Sequence, residues 1–498
     1  MLFTYSPATL RRIRRFSLVV IIGLCLLLPA GCTIGPNFLR PQVQVPEKWT
    51  GPTAAPATQP ATLTEKDLAR WWTVFEDPTL IALVERAVQS NLDLMQAEAR
   101  IRQARASRGV AASGMGPTLD ATGAYRRSRS PGSSSSGTSS LQSAASSSNG
   151  IISNQYQAGF DAGWELDIFG GVRRNIEAAD ADLLGSVEAR RDVLVTLTAE
   201  VARNYIDVRT FQQRIAIAQK NLKAQKHSAE LTRQRFQFGF VSGLDVANAE
   251  ALVATTAAQI PLLEASARQS IYSLGVLLGR EPSALIQELS AASAIPIAPP
   301  SAPTGVPSEL LRRRPDIRLA EAGIHAATAR IGVATADLFP RFTISGSLGL
   351  QAGDSGSFFK WASRLWSFGP SVSWRLFDTG SIRSNIELQK ALQEQEVIAY
   401  QKTVLTALQE VENALIASEK EEEHRKALVG SVAANGKAVE LATTLYTMGQ
   451  TDFLNVLDAQ RSLYSSEDAL VQSTRAMSTN LVALYKALGG GWSEEAGE

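Results

Sequence analysis

From Tyr156 to Ile168 the residues alternate without a break between two chemistries. Tyr156, Ala158, Phe160, Ala162, Trp164, Leu166 and Ile168 share one parity, and Gln157, Gly159, Asp161, Gly163, Glu165 and Asp167 share the other. Successive side chains of a strand point to opposite faces, so the pattern predicts a strand with one apolar face and one face carrying carboxylates. A strand crosses a bilayer at a tilt in about 9–11 residues, and this stretch is long enough.

Three further stretches repeat the alternation. Leu119, Ala121, Gly123 and Tyr125 oppose Thr118, Asp120 and Thr122. Phe342, Ile344, Gly346, Leu348 and Leu350 oppose Thr343, Ser345, Ser347 and Gly349. Val372, Trp374 and Leu376 oppose Ser371, Ser373 and Arg375. Four strands cannot close a barrel, because single-chain membrane barrels begin at about eight. An open sheet edge in lipid leaves backbone groups unpaired at several kcal/mol each. If these strands span a membrane, the chain shares its barrel with copies of itself.

The remaining composition is consistent with export and gives no reason to invoke nucleic acid: the net charge of the 498 residues is +1. Arg11, Arg12, Arg14 and Arg15 precede the apolar run Phe16–Leu28, which ends in Ala30-Gly31-Cys32. Basic, apolar and small-residue regions in that order predict a signal peptide over residues 1–31. A helical anchor is the alternative, and the run is short for one. Of the two cysteines, Cys25 leaves with the signal, so the mature chain has no disulfide.

Residues 32–65, rich in proline, read as an extended strap. Helical periodicity begins near Lys66 and continues past Asp77-Pro78 to about Ser113. Ser128–Gly150 is almost wholly serine, glycine and alanine and predicts a solvent-exposed hairpin loop. Beyond Ile168 the period changes: Leu194, Leu197, Val201, Tyr205, Val208, Phe211 and Ile215 recur at spacings of three and four. A helix from Val172 to Phe238 would run roughly 100 Å, about three bilayer cores, so most of it stands outside the membrane. Gly239 ends it, and Ser242-x-x-Asp245 is a capping box that starts the returning helix. Pro261 predicts a bend in that return.

The second half repeats the first. Trp164, Leu166, Gly170, Arg173, Asn175, Ile176 and Glu177 match Trp374, Leu376, Gly380, Arg383, Asn385, Ile386 and Glu387 at an offset of 210 residues, which also pairs Gly239 with Gly449 and Leu244 with Leu454. Upstream of the serine-rich stretch the offset is 223, pairing Asp93 with Asp316 and Pro117 with Pro340. The first unit is expected over residues 66–282, with strands about 117–126 and 154–169 and helices about 172–238 and 243–279. The second covers 309–491, with strands about 338–351 and 366–378 and helices about 382–448 and 453–488. A proline-rich linker, 283–308, joins them, and 492–498 reads as a tail.

On these motifs the chain resembles the outer-membrane factor (TolC-like) family, in its lipoprotein efflux branch called NodT-type. The resemblance rests on Gly31-Cys32-x-x-Gly35-Pro36, Trp71-Trp72-x-x-Phe75-x-Asp77-Pro78, Asn91-Leu92-Asp93-Leu94, Arg313-Arg314-Pro315-Asp316-Ile317, Phe339-Pro340, Leu454-x-x-Leu457-Asp458-Ala459-Gln460 and Tyr485-Lys486-Ala487-Leu488-Gly489-Gly490-Gly491-Trp492. It implies a mainly α protein with a membrane β part: a homotrimer whose twelve strands form one outer-membrane barrel, continued by a periplasmic α-helical barrel. It further implies lipidation at Cys32, with Pro29 a departure from the lipobox pattern. The partners implied are a periplasmic adaptor (membrane fusion protein) and an inner-membrane pump of RND type, with no cofactor. The function implied is an exit duct for small molecules or drugs. The same architecture also serves type I protein or nodulation-factor secretion, and a coiled-coil surface scaffold without a pore is the reading from another class.

The same resemblance places a periplasmic gate at Leu454, Asp458 and Arg461, with Leu454 a hydrophobic constriction and Asp458 a ring of carboxylates. The plainer reading is an i,i+3 surface pair between Asp458 and Arg461. Gly239, Ser242, Asp245, Gly449 and Asp452 mark the helix returns, where an adaptor would dock or where a tight turn alone is needed. Nothing resembles an enzyme or a metal site. His227, His325 and His424 are scattered on helices without ligand spacing and read as solvated. Trp361, Trp366, Trp374, Phe358, Phe359 and Phe368 suggest an interfacial girdle, or a soluble core, around the last hairpin.

Overall fold

The computed structural model describes residues 33–46, 49, 65–130, 151–297 and 312–493. The signal segment, Cys32 and most of the serine-rich stretch lie outside these residues. The chain divides into two compact units. One comprises Met1–Arg40, Ala104–Leu183 and Gly323–Glu396; the other comprises Pro41–Gln103, Leu184–Ala322 and Val397–Glu498.

The first unit holds an antiparallel sheet of four strands in chain order: β1 (Thr118–Ser130), β2 (Ile151–Leu166), β3 (Arg341–Ala352) and β4 (Arg364–Ser373). The strands sit where the alternation placed them, but their ends differ. β1 runs on to Ser130 because the start of β2 pairs with it, Ser130 facing Ile151. β2 stops at Leu166, so Asp167 and Ile168 leave the ladder. The Asp167 carboxylate instead accepts from the backbone N–H of Val172 and Arg173, at 3.0 and 2.9 Å, and caps the helix that follows. β4 stops at Ser373, and Asp378 caps the next long helix in the same way through Gly380 and Ile382. In β2 the residue that would continue the strand is thus taken up by the helix start; β4 ends where its partner begins, Ser373 pairing with Arg341, the first residue of β3.

Two hydrogen bonds tie the lower ends of the hairpins to the preceding turns. Trp164 Nε1 donates to the Met115 carbonyl at 2.9 Å, and Trp374 Nε1 to the Leu338 carbonyl at 3.0 Å. Both offsets noted in the sequence, 210 and 223, relate these two bonds. Trp374 thus belongs at the helix end of the sheet, away from the rest of the aromatic group assigned to the last hairpin.

The strap residues from Thr33 have no regular secondary structure and are held by hydrogen bonds. Ile34 N donates to the Phe169 carbonyl at 3.1 Å. The buried Arg174 guanidinium donates to the carbonyls of Ile34 and Gly35 and to Asn37 Oδ1 at 3.1, 3.2 and 2.7 Å. Phe38 stacks on His325 at 4.5 Å, and that imidazole also meets Glu177 at 3.1 Å. His325 is therefore packed and partnered, a correction to its reading as solvated.

Among the described residues the α-helices are α1 (Glu65–Ala69), α2 (Pro78–Ser90), α3 (Leu92–Ser113), α4 (Gly171–Gln237), α5 (Gly243–Leu277), α6 (Ile286–Leu289), α7 (Pro315–Ala336), α8 (Ser381–Thr447) and α9 (Phe453–Ala487). α4 and α8 each span 67 residues, and α5 and α9 each span 35. α5 continues through Pro261 as one element. The single helical run expected up to Ser113 is broken at Asn91, whose Oδ1 accepts from Leu94 N while its Nδ2 donates to the Leu277 carbonyl, both at 2.9 Å.

The core of the second unit explains several of the motifs. Trp71 is fully buried and stacks on Tyr485 at 5.5 Å. Asp77 caps α2 through Thr79 and Leu80, and its other oxygen accepts from Tyr205 Oη at 2.8 Å. Arg314 is buried and bridges Asp316, Glu410 and the Ala487 carbonyl at the end of α9. Trp492, expected in a tail, is 6% exposed and lies between the guanidinium groups of Arg191 and Arg318, at 4.4 and 5.3 Å. The described part of the expected linker is packed as well. It forms a 3-10 turn (Pro282–Leu285) and α6, with Leu285, Leu289 and Ile295 buried.

Candidate functional site

Two regions carry the functional argument, one in each unit. In the sheet, the register aligns side chains across all four strands. Leu119, Ala162, Gly346 and Phe368 lie in one row, and Ala121, Phe160, Leu348 and Trp366 in the next. Phe160, Leu348, Trp366 and Phe368 are all more than half exposed. A continuous exposed apolar face of this kind suits lipid. The opposite face is polar: Asp120, Asp161, Ser347 and Ser367 share a row. Thr122 Oγ1 donates to Asp161 at 3.0 Å, and Ser347 and Ser367 hydroxyls meet at 2.8 Å. The outer edges of β1 and β4 have no strand partner among the described residues.

In the helical unit, the two returns share one backbone solution. Gly239 and Gly449 take φ of +75° and +76°, a left-handed conformation that a side chain resists. Gly239 N donates to the Phe236 carbonyl and Phe240 N to that of Arg235, both at 2.9 Å; Gly449 and Gln450 repeat the pattern on Tyr446 and Leu445. The starts of the returning helices differ. Ser242 and Asp245 form the complete capping box, whereas Asp452 makes no side-chain cap bond.

Between the returns lies a small core of Ala229, Ala249, Tyr446, Phe453, Val456 and Leu457. Arg235 lies over the Tyr446 ring at 4.6 Å and donates to the Tyr446 carbonyl, while Tyr446 Oη donates to Thr232 Oγ1 at 3.2 Å. Arg235, Tyr446 and Thr232 were not read from the sequence as part of this region. The available signal was an aromatic residue three places before each turn glycine, Phe236 and Tyr446.

α9 leaves the second turn with two distinct faces. Phe453, Val456, Leu457 and Gln460 are buried, and Gln460 Nε2 donates to Ser228 Oγ at 2.8 Å. Leu454, Asp458 and Arg461, spaced by four and three residues, are exposed together on the other face. Asp458 and Arg461 make no hydrogen bond or ion pair with any described residue. The i,i+3 pair considered from spacing does not form, so both charges face outward from the chain.

No group of three or more His, Cys, Asp or Glu side chains is arranged to hold a metal ion among the described residues. His424 contacts Glu421 at 3.0 Å, and His227 is exposed.

Residues 83–280 and 306–490 match the family described as Outer membrane efflux protein. The chain belongs to this family. It is 32% identical over 470 residues to nodulation protein T of Rhizobium leguminosarum bv. trifolii, covering 94% of this chain and 97% of that one. It is 33% identical to the probable efflux pump outer membrane protein TtgC of Pseudomonas putida, covering 94% of each. Among solved structures, the outer-membrane channel OprN superposes with a TM-score of 0.81 at 38% identity, covering 93% of this chain and 100% of that one. The family is one of channel and efflux proteins of the outer membrane, so the apolar face of the sheet meets lipid and its polar face lines a lumen.

Proposed function

We propose that this efflux-family chain is one subunit of a homotrimeric exit duct, passive and without cofactor or catalysis. Three copies supply twelve strands to one outer-membrane barrel, and their long helices form the periplasmic part. The duct passes small molecules or drugs delivered by an inner-membrane pump of RND type through a periplasmic adaptor. The observation that carries this reading is a four-stranded amphipathic sheet whose two outer edges have no strand partner among the described residues. Such edges are tolerated in lipid only when neighbouring copies close them.

Leu454, Asp458 and Arg461 form the periplasmic gate in this reading, and the adaptor docks at the returns marked by Gly239, Ser242, Asp245, Gly449 and Asp452. Support for the gate comes from the exposed state of Asp458 and Arg461, since charges without a partner among the described residues are available to neighbouring copies around an axis. Cys32 is the lipid attachment point, as the sequence before it implies. Likeness to nodulation protein T favours a second cargo class, a nodulation-type signal, on the same architecture.

Planar-bilayer recording on the purified protein tests the duct and the gate together. Discrete conductance steps from a heat-modifiable trimer are expected, and replacing Asp458 and Arg461 together by Ala should raise the resting conductance. A trimer that never conducts would remove the duct; an unchanged resting conductance would remove the gate from these residues.

A further inference from the structure

Charge at the hairpin end of the sheet is one-sided. From Ala121 to Phe160 the sequence contains Arg126, Arg127 and Arg129 and no aspartate or glutamate, the serine-rich stretch included. The other hairpin adds Lys360 and Arg364 against Asp354 alone. That carboxylate is already engaged, accepting from Gly356 N, Ser357 N and Ser357 Oγ at 2.9, 3.0 and 2.5 Å.

The register separates these cations by face. Arg127 and Arg129 pair with Asn154 and Ile152 and share the parity of Leu119 and Tyr125; Arg364 pairs with Leu350 and shares the parity of Trp366 and Phe368. All three lie on the apolar side and are exposed. None makes an ion pair or hydrogen bond with a described residue. Arg364 lies against the Trp361 ring at 3.4 Å. Arg126 has the opposite parity and belongs to the lumen side.

Their height matters. Eight residues from Leu119 to Arg127 advance about 27 Å at about 3.4 Å each, or about 21 Å of height at a tilt near 40°, against an apolar band about 25 Å tall. Arg127 and Arg129 therefore emerge at the headgroup level, beside the Tyr125 and Tyr156 rings, which lie 4.8 Å apart. β1 and β4 are opposite edges of the sheet, so closing a ring of copies brings Arg364 of one copy toward Arg127 and Arg129 of the next. Like charges gathered there repel unless an anion lies between them.

We propose that Arg127, Arg129 and Arg364 form a phosphate-binding belt on the lipid side of the barrel, which holds phosphorylated glycolipid of the outer leaflet at the seams between copies. This rests on the trimeric membrane-barrel reading above. The belt supplies the guanidinium forks that phosphate prefers, and Tyr125, Tyr156, Trp361 and Trp366 supply the flanking interfacial aromatics.

Native mass spectrometry of the full-length trimer, titrated with diphosphorylated lipid A and with the same glycolipid stripped of phosphate, tests this. The phosphorylated form should be retained preferentially. The combined Arg127→Ala, Arg129→Ala and Arg364→Ala variant should bind it on the order of a hundredfold more weakly, about fivefold per charge near an anionic surface. The single variants, which disturb assembly least, should each show their own share. Lys at all three positions should restore most of the retention, and Arg126→Ala should leave it unchanged. Equal retention of the two glycolipids, unchanged retention by the triple variant, or displacement of the lipid by excess inorganic phosphate would each overturn the belt. Conductance keeps the two readings apart: the triple variant should conduct like the parent, whereas a parent that does not conduct fails as a duct.

Discussion

Asp192, on α4, sits near Asp316 and Glu410, which disfavour its charge, and near Lys486 and Arg314, which favour it. Burial first, and then Asp316, pushes its carboxyl above the ordinary aspartate value. A carboxyl raised in the folded state binds more protons there than in the unfolded chain, so stability falls as pH climbs from the ordinary aspartate value through the folded one. Asp192→Asn should therefore raise the thermal midpoint of helix unfolding at neutral pH, with the gain over the parent shrinking as pH falls toward about 4. A difference that stayed constant with pH would exclude this origin. At this scale the sequence was only partly readable. Asp77, Arg314 and Trp492 stood out as motif residues, yet their roles are contacts with Tyr205, Glu410 and Arg191, residues 96 or more positions away. His325 was misread for the same reason, since Phe38 and Glu177 reach it from distant parts of the chain.

At the scale of elements, periodicity located the strands and the long helices, and their ends were set by strand pairing and, at some helix starts, by capping. The alternation in β2 continues to Ile168, but Asp167 satisfies the first amides of α4 in preference to a ladder position. The returns make a sharper comparison. Ser242→Ala removes a complete capping box and should cost about 1 kcal/mol locally. Asp452→Ala removes no side-chain cap and should cost little. Hydrogen exchange over the first turns of α5 and α9 measures both; equal loss of protection would mean that the cap is not what holds α5.

Over the whole molecule, the two faces of the sheet set what substitutions are tolerated. Phe160, at mid-strand on the apolar face, replaced by Arg should destabilise the barrel by about 2–4 kcal/mol, as a charge near the bilayer midplane does. Asp161→Asn, one residue away on the polar face, should leave its stability nearly unchanged. Urea titration of the barrel in lipid vesicles, followed by heat-modifiable migration, reads both. Similar losses at the two positions would contradict the assignment of faces.

Strand number, the parity of each face and the need for further copies were all contained in the sequence, because alternation and backbone pairing in lipid depend only on local order along the chain. Helix lengths near 67 and 35 residues followed from periodicity between two glycine turns. Tertiary structure alone decided that Trp492 is gripped by two arginines, that the expected linker packs, and that Asp458 and Arg461 do not pair. Those outcomes depend on which distant groups reach the same point, and on whether a nearby charge finds a better geometry, which spacing along one helix does not specify.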